Sequence, residues 1–192
     1  MNRRDDRSAA PGAGKAGDDI LTDNEGSLLT LVLRRQPVTA YQLLRIYAQS
    51  PVSSFNESKG SLYPLIRRLK ARGLIAAQPV DGDGRNAERL TCTDAGKAAA
   101  RRWVARLEPR HILPDDPLRT KAISFGLLDA RERRAWIASA RMLTEEKIAE
   151  VEAYLIGLDM AYQDAVAANA LGALQARLEW LDKLASGPKN AP

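Results

Sequence analysis

Sulfur and imidazole are almost missing from this chain. One cysteine, Cys92, and one histidine, His111, stand among 192 residues. A lone cysteine excludes an internal disulfide framework, and Cys92 cannot by itself hold a structural zinc. Aromatic residues make up only 5% of the chain against an apolar total of 45%, so its cores are expected to be aliphatic. No apolar run approaches the roughly 18 residues that mark a membrane span, and the first residues lack the apolar stretch of a secretion signal. A cytoplasmic protein without a membrane partner is expected. The parts of an enzyme site are missing too: a nucleophile beside its base, a pocketed carboxylate pair, a phosphate-cradling loop. His111 lies in a proline-rich stretch with no carboxylate or cysteine partner. Asp81 and Asp83 lack the other ligands of a calcium loop, and Asp115 and Asp116 before Pro117 read as helix caps. No catalysis, cofactor or metal is therefore expected.

Basic charge is present, and it is segregated. Residues 1–20 hold four Lys/Arg and four Asp/Glu, residues 21–107 hold fourteen and seven, and residues 108–192 hold eleven and thirteen. The whole excess falls in the middle block. A basic block beside a mildly acidic one suggests that one part binds a polyanion and the other has a different task. Residues 1–20, rich in Arg, Asp, Gly and Ala, have too little apolar surface to fold and are expected to be a disordered tail.

Residues 56–75 organise the middle block. Leu62, Leu65, Ile66 and Leu69 fall at helical spacing and make one apolar stripe. Lys59, Arg67, Arg68, Lys70 and Arg72 supply five cations with no acid among them. Ser58 is placed to cap the start, and Gly73 stands where a helix ends in a left-handed residue. An apolar back, a basic front and small polar residues at the N-terminus suit a DNA recognition helix. A merely solvated basic helix fits this stretch equally well, so its flanks decide.

Upstream, Thr22 and Glu25 form a capping box for a helix over 23–35, whose Leu28, Leu29, Leu31, Val32 and Leu33 are core candidates. Pro37 ends it. Thr39 and Gln42 form a second capping box before a helix over 40–49. Downstream, 74–79 and 87–93 flank the turn cluster at Asp81-Gly-Asp-Gly84 as a β-hairpin, with Leu90 and Cys92 on one face and Arg85 and Asn86 at its tip. Three helices followed by a two-stranded wing make a winged helix-turn-helix. A fourth helix over 95–107, capped at Thr93 or Asp94, carries Trp103, Val104 and Leu107 inward.

Residues 108–117 read as a linker, and 118–186 as all helix. A short helix over 118–125 precedes two long ones over 130–156 and 160–184. The stripe of the first long helix includes Trp136, Ile137, Leu143 and Val151. The second has Leu171, Leu174, Leu178 and Leu181 at the spacing of a coiled-coil seam, with Trp180 beside them. A pair of such helices is thin and cannot bury two wide apolar faces alone. These nine side chains are the candidate dimerisation residues, set against an ordinary hairpin within one chain. The fold class is thus mainly α with a small β-hairpin wing: a winged helix-turn-helix domain at 21–107, a helical, coiled-coil-like dimerisation domain at 118–186, and a short disordered tail at 187–192.

The segments GSLYPLIRRLKARGLI (residues 60–75) and GRNAERLTCTDAGK (84–97) resemble the PadR family of bacterial transcriptional regulators. Tyr63-Pro64, Leu65, Leu69, Gly73-Leu74-Ile75, Thr93 and Ala95-Gly96 carry the resemblance. Upstream, Val38-Thr-Ala-Tyr41 is similar to the start of the family's second helix. Downstream, residues 173–181 are similar to its Glu-Trp-Leu helix. Ala40 stands in place of the usual glycine, Arg89-Leu90 in place of two wing tyrosines, Cys92 in place of leucine and Lys59 where proline is common. The resemblance implies a homodimeric repressor of double-stranded DNA, with interlocking C-terminal helices. It also implies that some members sense a small-molecule effector between the domains.

The candidate DNA contacts are Thr39, Tyr41 and Gln42 before and in the second helix; Asn56, Ser58, Lys59, Gly60, Ser61, Tyr63, Arg67 and Arg68 on the third; and Arg85, Asn86 and Arg89 on the wing. Pro64 removes a helical hydrogen bond and is expected to bend the first turn away from the rest. A winged helix that binds protein, or an activator without ligand sensing, is the alternative. The cations of the third helix argue against a protein-binding module.

Overall fold

A computed structural model of the chain describes residues 20–51, 59–80, 87–113, 115–156 and 161–187. The expected N-terminal tail up to residue 19, the cap Ser58 with Asn56, the wing tip with Arg85 and Asn86, and the final residues 188–192 lie outside them. The elements run α1 (Asp23–Arg35), β1 (Val38–Thr39), α2 (Ala40–Gln49), α3 (Lys59–Ala71), β2 (Ile75–Pro79), β3 (Glu88–Cys92), α4 (Asp94–Ala105), α5 (Pro109–Ile112), α6 (Pro117–Ile123), a 3-10 turn (Phe125–Leu127), α7 (Ala130–Leu155) and α8 (Gln163–Ala185). They fall into two compact units, residues 1–40 with 60–106, and residues 41–59 with 107–192. Helix α2 therefore groups with the second unit.

The first unit is built on α1. Its capping box forms as the sequence predicts: the Thr22 Oγ1 accepts from the Glu25 N–H, and a Glu25 carboxylate oxygen accepts from the Thr22 N–H at 3.0 Å. Leu28, Leu29 and Val32 are fully buried, with Leu31 close behind. Arg34 and Arg35 stand at the negative end of the helix dipole.

The sheet has three antiparallel strands in the order β1-β3-β2, not the two of a simple wing. Val38 pairs with Leu90 and Thr39 with Arg89. A two-residue strand has no periodicity to read, and its partner is about fifty positions away. The β3 N–H at Cys92 donates to the Gln36 side-chain carbonyl at 2.7 Å. Leu90 and Cys92 are buried while Arg89 on the opposite face is exposed, following the alternation in the sequence; Glu88, on the Leu90 side at the start of the strand, is exposed as well.

Helix α3 buries its predicted stripe: Leu62, Leu65, Ile66 and Leu69 are all at most 5% exposed. Burying side chains of this size contributes about 1.5–3 kcal/mol each relative to exposure, which is what seats the helix. Its C-terminus closes in a Schellman motif. Gly73 adopts φ +67, its N–H donates to the Lys70 carbonyl, and the Leu74 N–H donates to the Leu69 carbonyl. The chain leaves this turn directly into β2. Thr93 fastens the same turn from the other side. Its hydroxyl donates to the Gly73 carbonyl at 2.7 Å and accepts from the Gly96 N–H at 3.0 Å, capping α4.

Helix α4 buries Gly96, Ala99 and Ala100. Val104 and Leu107, expected inward, are 65% and 79% exposed. Val104 lies about 100° round the helix from Trp103, and α4 stops at Ala105, so Leu107 has left its face.

In the second unit α7 packs along α8. Asp129 caps α7 in a capping box with Glu132. Val151 and Leu181 are fully buried within the single chain, and Ala140 and Thr144 are buried as well. Trp136 stacks edge-on with Phe125 at 4.9 Å and with Trp180 at 6.5 Å. The stretch read as a linker holds one turn of helix, α5, in which the His111 Nδ1 accepts from the Glu108 N–H.

Candidate nucleic-acid interface

Helix α3 presents two faces because its apolar residues recur every three or four positions. Opposite the buried stripe, Tyr63 is 51% exposed, and Arg67 and Arg68 are exposed. Lys59, Gly60 and Ser61 form the first turn of this helix. Pro64 sits within the helix, and α3 runs through it; the amide hydrogen it lacks would have bonded the Gly60 carbonyl four residues back.

The cations of α3 are not equivalent. Arg68 Nε lies 3.2 Å from one oxygen of Glu25, and Arg72 Nη1 lies 3.4 Å from the other. That carboxylate is nearly buried, with its side chain only 7% exposed. Lys70 Nζ donates to Glu88 at the start of β3, at 2.6 Å. Among the described residues no acid pairs with Arg67. The sequence shows five cations without an acid because the acids come from α1 and β3, distant in the chain. Glu25 was legible as a capping residue; nothing in its spacing announces that it also holds two arginines of α3.

Around α3, β3 carries Arg89 on its exposed face, directly opposite Thr39 on β1. The first unit thus gathers Thr39, Arg89 and the outer face of α3. Tyr41 and Gln42 lie in the first turn of α2, in the other unit, and both are exposed. Asn56, Ser58, Arg85 and Asn86 fall outside the described residues. Cys92 is buried, and burial pushes its thiol above the ordinary value, as expected of a packing residue and not a reactive one. Among the described residues no group of three or more His, Cys, Asp or Glu could hold a metal ion. No described helix is long and apolar enough to cross a membrane.

The dimerisation candidates divide by exposure. Val151 and Leu181 are already spent on packing α7 against α8, and Trp136 and Trp180 stack on each other. Ile137, Leu171, Leu174 and Leu178 are half-buried, while Leu143 is 60% exposed beside Met142 at 54%.

Residues 28–102 match the family described as "Transcriptional regulator PadR-like family". No curated protein matches the chain. Among solved structures, Bacillus subtilis PadR in complex with operator DNA is similar at 19% identity and a TM-score of 0.70, over 85% of this chain and 97% of that one. The same Bacillus protein in complex with p-coumaric acid gives 17% and 0.68, over 84% and 96%. The protein smu.1604c of Streptococcus mutans UA159 gives 20% and 0.68, over 86% and 99%. At these identities the likeness establishes the fold, a winged helix followed by long helices.

Proposed function

We propose, from the match of residues 28–102 to the PadR-like family of transcriptional regulators, that this chain is a homodimeric repressor that binds a pseudo-palindromic operator and releases it on binding a small-molecule effector. The observation that carries DNA binding is α3: a buried leucine-rich back with Tyr63 and Arg67 exposed on its front. In this reading the first turn of α3 and Tyr63 read or clamp the major groove, with Asn56 and Ser58 leading in. The helix N-terminus favours a phosphate. Arg67 and Arg68 grip the backbone, Arg85, Asn86 and Arg89 reach the neighbouring groove from the wing, and Thr39, Tyr41 and Gln42 add backbone contacts. A PadR solved with operator DNA and again with p-coumaric acid supports the operator and effector parts by analogy. The regulator works in the cytoplasm of a bacterium and performs no catalysis.

Selection of bound sequences from a random DNA pool tests the reading directly. A pseudo-palindrome with half-sites about one helical turn apart, or a multiple of it, is expected. A single asymmetric site bound by a monomer overturns the dimeric reading, and no enrichment at any salt concentration overturns DNA recognition. Arg68→Ala is expected to weaken binding to all sequences alike. A changed base preference with an unchanged salt slope would remove Arg68 from the phosphate contacts.

A further inference from the structure

Among the described residues Glu25 is the only charged side chain that is buried. A buried carboxylate is costly unless it is paired and hydrogen-bonded, and Glu25 has three partners. One of its oxygens accepts from the Thr22 N–H at 3.0 Å and from Arg72 Nη1 at 3.4 Å; the other lies 3.2 Å from Arg68 Nε. Capping needs only the first of these contacts. The capping box of α7 does the same work in the open, with exposed hydrogen bonds between Asp129 and Glu132. Capping alone therefore does not explain why Glu25 is buried against two arginines of α3.

We propose that Glu25 is a positioning residue for DNA binding: it holds Arg68 by Nε, so that the two terminal nitrogens of the guanidinium are set for a phosphate before DNA arrives. The inference rests on the regulator reading and adds to it a residue that touches no DNA itself. The Arg68 side chain stays 59% exposed although its Nε is engaged, and among the described residues its terminal nitrogens pair with no acid. A guanidinium is a rigid planar fork, so fixing one nitrogen fixes the direction of the others; an ammonium on a flexible stem would still turn. The anchor is stiff, because the cap ties the carboxylate to the backbone of α1. Holding Arg68 does not cancel the basic face either. Arg72 shares the same carboxylate, so one negative charge stands between two positive ones. The Lys70–Glu88 pair is the contrast: a single cation faces a single acid, and that acid is 46% exposed. With Arg68 already held, binding avoids part of the cost of immobilising a long side chain.

The test uses the full chain and a mixed-sequence DNA duplex, since a phosphate contact carries no base preference. Glu25→Gln is the informative variant. Glutamine serves in a capping box as glutamate does. With its oxygen on Thr22 and Arg72, it turns an amide donor toward Arg68. Glu25→Gln is expected to weaken duplex binding by at least about three-fold, the scale set by immobilising one such side chain. In the Arg68→Ala background the same change is expected to cause no further loss. An equal loss in both backgrounds would make Glu25 merely structural, and a gain in affinity would make it a mask; either overturns the inference. Nitrogen-15 relaxation of the arginine Nε–H groups, measured without DNA, gives a second readout. Arg68 is expected to be ordered in the parent and mobile in Glu25→Gln, with Arg67 mobile in both. Arg68 equally mobile in the two proteins would also overturn the inference. A parent that binds the duplex without this coupling keeps the regulator reading and loses the positioning role; a parent that binds no duplex at any salt concentration ends both.

Discussion

Gly96 has no room for a methyl group. A Cβ built there would lie 2.1 Å from the Leu74 carbonyl oxygen and 2.8 Å from the Cys92 sulfur. The obstacle is backbone at the exit of the α3 turn, so it cannot rotate away as a side chain could. This explains why the resemblance to the family includes a glycine three residues after the capping threonine. Gly96→Ala is expected to destabilise the first unit by about 1–3 kcal/mol or more, the usual range for overpacking. A denaturant midpoint equal to the parent's would contradict that. Charge at the residue scale is as specific. Arg67→Ala should weaken DNA binding and lower the magnitude of the slope of log K against log salt by about 0.9, the signature of one lost phosphate contact. Glu88→Gln removes the acid that holds Lys70, so it should strengthen binding to all sequences alike, and by less than Arg67→Ala weakens it. If Glu88→Gln weakened binding, the Lys70–Glu88 pair would be positioning the wing instead of masking a cation.

Elements with a long repeat were legible in the sequence. The stripe of α3, the capping box of α1 and the alternation of Arg89, Leu90 and Cys92 in β3 all follow from spacing, and each is local chemistry. What could not be read was set by contacts between distant residues: the strand β1, the outward turn of Val104, and the acids that face Arg68, Lys70 and Arg72. Helix α6 shows how such a contact can matter to a whole element. Asp116 caps it by accepting from the Leu118 N–H at 3.0 Å, and the same oxygen accepts from Arg177 of α8 at 3.1 Å. Burial works to raise the Asp116 carboxyl, but the bond from Arg177, the Leu118 and Arg119 amides and the Arg177 charge together hold it below the ordinary value. A carboxyl lowered in the folded state contributes stability that is complete above its unfolded pKa and lost as pH falls through the folded one. Asp116→Asn keeps a side-chain oxygen that can cap the helix and loses the charge that faces Arg177, so it should cost up to about 1 kcal/mol at neutral pH. The gap from the parent should close at pH values below the carboxylate range. Urea denaturation at the two pH values checks this, and a gap that stayed constant would show that the side chain acts through shape and not charge.

At the scale of the molecule, one chain covers only part of its long helices. Val151 and Leu181 are buried in it, whereas Met142, Leu143 and Val166 remain 54%, 60% and 45% exposed on α7 and α8. Exposed large apolar residues that adjoin, as Met142 and Leu143 do, mark an association surface more often than isolated ones do, and a second copy of the same helices is the partner that the repressor reading requires. The two classes of position should respond differently to a buried charge. Leu143→Glu is expected to leave the helical content of the chain intact and to convert a dimer into monomers, because in one chain the new carboxylate stays in water. Val151→Glu should instead unfold the helical unit, since an unpaired carboxylate in that core is far too costly to keep charged. Sedimentation equilibrium with circular dichroism separates the outcomes. Operator affinity should fall when Leu143→Glu breaks the dimer, because each monomer then holds a single half-site and loses the effective concentration that the linked copy supplied. A parent chain that sediments as a monomer at concentrations where it saturates its operator would leave those exposed side chains for another partner and end the homodimer reading.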